Sequence, residues 1–251
     1  MKSDRRTIAS LAVIASALAT LLHEGLGHGV TAWLRGDQVT ELTSNHLSSM
    51  VPDRWVSAGG TLVNLAVGAT CLALAPRLGR RANARYALWI LGALNLFPGA
   101  GYFMFSGILG LGDWAAVIEG LPHPWLWRVA MTLFGVALYI FVTWRIARGL
   151  APFLGCRADY NRVARFPYLV ACIFSSVAGA FDPLGLQLWL ISTIPAAFGG
   201  SSGFLWADSL LPKKLPSDPL LVTPSRPLWI AAAVLGLAYI LELGRGVHFG
   251  H

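Results

Sequence analysis

Apolar residues run along this chain in long blocks separated by short polar gaps. The blocks cover residues 7–34, 55–76, 86–111, 125–148, 166–182, 184–199 and 227–243. A helix crosses a bilayer core with about 20 apolar residues, and the longer blocks exceed that. The fifth and sixth are short and are divided by Phe181-Asp182-Pro183, which reads as a tight hairpin of two spans or as one broken helix. The pattern predicts an all-α fold, a polytopic transmembrane helical bundle of six or seven spans. A further apolar turn, Phe204 to Leu211, is expected at the membrane interface, and the glycine-rich stretch 199–203 reads as a loop.

The third block carries an expectation of its own. An unbroken helix from Arg85 to Asp113 would extend about 42 Å, beyond the roughly 30 Å hydrocarbon core. The run Pro98-Gly99-Ala100-Gly101 is the expected break, giving a broken third span. Irregular backbone at membrane depth is tolerated only where protein or a water-filled cavity surrounds it.

Composition strengthens the membrane reading. Hydrophobic residues make up 55% of the 251 positions and charged residues 12%, about half the charge of a soluble domain. Mean hydropathy is +0.60. The net charge of +7 comes from Lys and Arg placed in the gaps. This is the arrangement of cytoplasmic loops facing anionic lipid, and no aromatic-basic interleaving points to nucleic acid. Lys2, Arg5 and Arg6, then Arg77 to Arg85, then Arg145 to Arg165 mark three cytoplasmic regions. The gap 112–124 has Asp113 and Glu119 but no Lys or Arg, so it is expected outside. The N-terminus is therefore expected in the cytoplasm. Ala17-Leu18-Ala19 has the form of a signal-peptidase site, but the apolar pattern continues to Trp33, so an uncleaved first helix is expected. Cys71, Cys156 and Cys172 have no paired spacing, which indicates neither a disulfide framework nor a cysteine zinc site.

The first block holds the chemistry. His23, Glu24 and His28 lie within six otherwise apolar or glycine positions. Ionisable groups at membrane depth are costly and mark functional sites. His-Glu-x-x-His puts two imidazoles on one helix face for zinc, with the glutamate as general base. Here the interval is one residue longer. On an ideal α-helix, positions five apart point about 140° away from each other. A π-helical turn would realign them, and Gly25 and Gly27 lower the cost of that distortion. The longer spacing is similar to the zinc motif of the dipeptidyl peptidase III enzymes, in motif only. A hydrogen-bonded network of the same three side chains is the competing expectation.

Three blocks together resemble the site-2 protease family of intramembrane zinc metalloproteases. They are His23-Glu24-Gly25-Leu26-Gly27-His28, then Ala58-Gly59-Gly60-Thr61-Leu62-Val63-Asn64, then Asn95-Leu96-Phe97-Pro98. The resemblance covers about residues 1–115, a metalloprotease-like membrane core, with 116–251 as additional helices of the same membrane domain. Gly60 stands where the family has proline, and no aspartate closely follows Asn-x-x-Pro; the next is Asp113. The resemblance implies Zn2+ held by His23, His28 and Asp113, with Glu24 catalytic. It also implies Asn64 and Asn95 supporting the substrate or the site, beside Gly59 and Gly60. His46, Glu119 and His123 are rivals for the third ligand. The implied activity is hydrolysis of a peptide bond in or near a transmembrane segment of a membrane protein or peptide substrate within the lipid bilayer. A compact chain without long loops suits a bacterial inner membrane. Two alternatives stand beside this: a non-catalytic membrane protein with a metalloprotease-like core that binds a partner, and a metal or proton transporter.

Overall fold

The computed structural model describes residues 2–51 and 53–250. The first helix runs continuously over Arg5–Leu34. It is α-helical over α1 (Arg5–Leu21), π-helical over Leu22–Gly29 and α-helical again over α2 (Val30–Leu34). Asp4 starts it, its carboxylate accepting the Thr7 backbone N–H at 2.8 Å, a standard use of aspartate at an N-cap. Then come α3 (Arg54–Leu74), α4 (Ala82–Leu109), the short α5 (Asp113–Ile118) and α6 (Pro124–Leu150). The remainder holds α7 (Phe166–Gly179), α8 (Gly185–Leu188) with π-helical turns over Trp189–Thr193 and Pro195–Gly200, and α9 (Arg226–Glu242).

The all-α expectation holds. Among the described residues, four helices are long and apolar enough to cross a membrane: Arg5–Leu34, Arg54–Leu78, Ala82–Leu109 and Pro124–Phe153. The later apolar blocks form shorter helices. The polar gap 35–54 contributes β1 (Val39–Leu42) and β2 (Leu47–Ser49), and β3 (Val247–His248) joins from the far end of the sequence. The strand order is β2-β1-β3, antiparallel throughout, with Glu41 opposite His248.

The expected break in the third span is corrected. Helix α4 passes through Pro98 without interruption for 28 residues, about 42 Å at the α-helical rise. The glycines after Pro98 serve packing. A Cβ on Gly99 would lie 3.1 Å from Leu65 of α3, and one on Gly101 would lie 3.6 Å from Tyr139 of α6. Small residues let neighbouring helices approach closely in an apolar medium, and neighbours on both sides hold the proline-containing turn. The reversal comes later, at Gly110 and Gly112, whose φ values of +68° and +80° suit glycine.

α4 is the central helix, packed between α3 and α6. Tyr86, Trp89 and Phe97 on it are buried against Phe153 and Phe204. Their polar tips are satisfied: Tyr86 donates to the Val163 carbonyl at 2.7 Å and Trp89 Nε1 to the Ile146 carbonyl at 3.0 Å. The larger core cluster draws on residues from Ile8 to Val222, so the two halves of the chain share an interior.

Candidate metal centre

The π-helical segment explains the odd histidine interval. With i→i+5 bonding, residues five apart stack one above the other, and His23 and His28 do so. Their Nε2 atoms are 3.2 Å apart. Asp113, the first residue of α5, reaches back after the Gly110–Gly112 reversal. Its Oδ2 is 3.3 Å from His23 Nε2 and 3.6 Å from His28 Nε2. Trp114 against Phe103, with ring centroids 4.3 Å apart, fixes α5 on α4. Arg54 donates to the Glu119 carbonyl at 2.6 Å, tying the end of α5 to α3.

The two helices meet through glycine. Gly27 lies against Gly59 and Gly60 so closely that a Cβ on any of the three would strike backbone or imidazole. A Cβ on Gly60 would stand 2.5 Å from His28 Nε2 and 2.7 Å from His23 Nε2. The missing side chain therefore leaves room directly beside the converging nitrogens.

Outer partners set the tautomers. His28 Nδ1 is 2.6 Å from the Val56 carbonyl. A carbonyl only accepts, so Nδ1 carries the proton, and in the neutral ring Nε2 keeps its lone pair. His23 Nδ1 is 3.1 Å from the Asn64 amide nitrogen, while Asn64 Oδ1 is buried without a partner. Amide nitrogen and oxygen are interchangeable on such grounds. Turning the Asn64 amide lets Oδ1 accept from Nδ1–H and leaves the His23 Nε2 lone pair free. Asp113 Oδ2 is buried and accepts no well-formed hydrogen bond.

Three acceptor atoms thus face one another. A single proton relieves one of the three contacts, whereas a cation relieves all. The donor set fits zinc: on a tetrahedral ion with bonds near 2.05 Å, ligand atoms sit about 3.3 Å apart. The outer bonds of His23 and His28 are the kind that orient metal-binding imidazoles.

Glu24 is buried, with Oε2 4.0 Å from His28 Nε2. Two cavities meet at it. One, about 130 Å³, lies among α1, α7 and the π-helical turns and is lined by Ser16, Thr20, Ser175, Ser192 and Thr193. The other, about 190 Å³, opens under the β-hairpin between Asp113, His28, His46 and Leu47. Tyr102 lines both and stacks on His23, with centroids 5.2 Å apart and planes at 19°.

No family model, curated protein or solved structure matches this chain.

The remaining candidates fall into place around the centre. Gly60 and Asn64 line it, and Gly59 packs against Gly27 and Thr31. Asn95 donates to the Leu91 carbonyl of its own helix at 2.8 Å, and its buried Oδ1 is unpartnered. Among the rivals for the third ligand, His46 belongs to a separate group. Its Nε2 is 3.4 Å from Glu41 Oε2 and its Nδ1 is 3.5 Å from Asp182 Oδ2. Asn45 bridges Asp182 and Thr193 there, so this group ties the hairpin to the turn after α7. His123 caps α6 with φ +54° between its two prolines, and Glu119 C-caps α5. The sequence reading missed Tyr102 and the Val56 carbonyl. An aromatic three residues after Gly99 in an apolar helix carries no signal of its own, and a carbonyl has no sequence signature.

Proposed function

We propose that this chain is an intramembrane zinc metallopeptidase similar to the site-2 proteases, cutting a peptide bond in or near a transmembrane segment of a membrane protein or peptide. The observation that carries the reading is the convergence of His23 Nε2, His28 Nε2 and Asp113 Oδ2 at 3.2–3.6 Å, with Glu24 beside them. In this reading α7, α9 and the 185–200 segment complete six or seven spans. The arginine-rich end, with the N-terminus, faces the cytoplasm of a bacterial inner membrane.

His23, His28 and Asp113 would hold the ion. Bound zinc supplies Lewis-acid chemistry, acidifying water toward neutral pH and polarising a peptide carbonyl. The chain's own residues do the rest. Glu24, buried where both cavities meet, accepts a proton from water and returns it to the leaving amine. The Ser- and Thr-lined cavity gives water a polar place inside an apolar bundle. Val56 and Asn64 fix the two imidazoles so that their Nε2 lone pairs face inward.

The test is cleavage of a membrane peptide by the purified protein in liposomes, beside metal content. Glu24→Gln should keep zinc and lose cleavage. His23→Ala, His28→Ala and Asp113→Ala should lose both. A metal-free, well-folded wild type sinks the reading. So does Glu24→Gln cutting at the wild-type rate.

A further inference from the structure

At the end of the bundle opposite the metal centre, α3 passes into a 3-10 turn over Ala75–Leu78 and the chain turns at Gly79, with φ +57°. α4 starts beside it and α6 ends beside it. The segment 212–225 crosses over the gap, pinned by the Leu220 N–H on the Pro152 carbonyl at 2.8 Å. Between these pieces lies a hollow of about 480 Å³ lined by Arg80, Arg85 and Arg148, with Pro152, Pro216 and Leu220 as apolar wall. It adjoins a second hollow that shares Arg80 and adds Arg81 and Asn83.

Four guanidinium groups share these hollows with one carboxylate, Asp218. Asp218 pairs with Arg80 at 2.8 Å, but both side chains are more than two-thirds exposed, and such pairs contribute little. Arg85 donates to the Gly79 carbonyl at 3.2 Å. Arg148 lies over the Trp144 ring, 4.3 Å from its centroid. Among the described residues Arg85 and Arg148 pair with no carboxylate, and both line this concave, partly apolar space. Planar guanidinium forks match phosphate oxygens bidentately.

A second observation bears on the source of the phosphate. Phe141, Trp144 and Arg148 follow one another at helical spacing along one face of α6. The Phe141 and Trp144 rings lie 5.8 Å apart, and Phe141 is 55% exposed. An exposed apolar residue, then an interfacial tryptophan, then an arginine is the order met along a lipid from acyl chain to headgroup.

We propose that this hollow binds an anionic glycerophospholipid, its phosphate on Arg80, Arg85 and Arg148 and its acyl chains along the Phe141–Trp144 face. Binding here is independent of the metal centre and of peptide hydrolysis.

The experiment uses the full chain in neutral detergent and measures retained lipid by native mass spectrometry and melting temperature. It compares phosphatidylcholine micelles, the same micelles with added phosphatidylglycerol, and the same with inorganic phosphate. Phosphatidylglycerol should be retained and should raise the melting temperature. R85Q/R148Q should weaken retention about fivefold per arginine removed. The charge-matched K213Q/K214Q, outside the hollow, should change it far less. Equal losses in the two double variants would overturn the proposal in favour of general surface attraction. Inorganic phosphate stabilising as much as the lipid would overturn the lipid assignment. If the double variant does not fold, R148Q alone decides, since that guanidinium rests on the Trp144 ring and donates to no protein acceptor among the described residues; unchanged retention in it overturns the proposal.

Discussion

Replacing Gly60 with alanine puts one methyl group against the candidate metal centre. The new Cβ would lie 2.5 Å from His28 Nε2 and 2.7 Å from His23 Nε2, where ordinary contact starts at 3.4 Å. The rings must retreat by roughly 0.9 Å and 0.7 Å, yet metal–ligand distances hold within about 0.2 Å. The helix cannot simply back away, because Gly27 is already pressed against the backbone of Gly59 and Gly60. Overpacking of this kind costs about 1–3 kcal/mol. Metal affinity should fall at least as far as on losing an outer partner of a ligand, about 10–100-fold. The assay is zinc content by elemental analysis together with thermal melting in detergent. Gly25→Ala is the matched control: a Cβ there meets nothing within 4 Å, and alanine is the better helix former. That variant should keep its zinc and melt no lower than wild type. Full zinc and an unchanged melting temperature in Gly60→Ala would refute the packing derived for this centre.

Other expectations follow from the same geometry. Asn64→Ala removes the partner of His23 Nδ1 and should lower zinc affinity about 10–100-fold, read by chelator competition, while Asn95→Ala should leave affinity unchanged. Asp53 N-caps α3 through the Trp55 and Val56 amides at 2.6 and 3.3 Å. Asp53→Ala should cost about 1 kcal/mol, seen as a lower melting temperature. Burial pushes the Asp53 carboxyl up, but Arg35 and the two amides outweigh it and hold it below its ordinary value. The cap's contribution is therefore full above the ordinary carboxylate pKa and is lost as pH falls through the lowered folded value. The melting temperatures of wild type and Asp53→Ala should converge in acid. His46→Ala opens the contacts that join the hairpin to Asp182, and should speed backbone hydrogen exchange over residues 39–49 without removing zinc.

The helical blocks were legible because burial in an apolar medium writes itself as uninterrupted hydrophobic runs. So was the π-helical turn, since two histidines five apart can meet only if the helix widens. Pro98 misled because a proline's lost hydrogen bond is a local signal, whereas the packing of Gly99 and Gly101 against α3 and α6 is not. Asp113 was a candidate only through the resemblance, with His46, Glu119 and His123 as rivals. Its path back depends on two left-handed glycines, and nothing in Gly-Leu-Gly-Asp states where the carboxylate will point. Small strands of two to four residues fall below the length at which alternation can be read. The pairing of β3 with β1 joins residues some two hundred positions apart, which no local pattern encodes.

The widened turn between His23 and His28 behaves as a frame shift written into a helix. In an unbroken α-helix one surplus residue would rotate everything beyond it by about 100° and advance it by about 1.5 Å. In the middle of a long span that shift would misalign every later contact. Here it falls near the helix end, and only the five residues of α2 follow before the chain leaves for the hairpin. The widened turn takes up most of that phase, and the short α2 and the hairpin after it take up the rest. Deleting Leu26, whose side chain is exposed, would restore the four-residue interval and let an ordinary α-helix carry both imidazoles on one face. The two spacings are then neighbouring solutions, separated by one codon and reconciled by the widened turn.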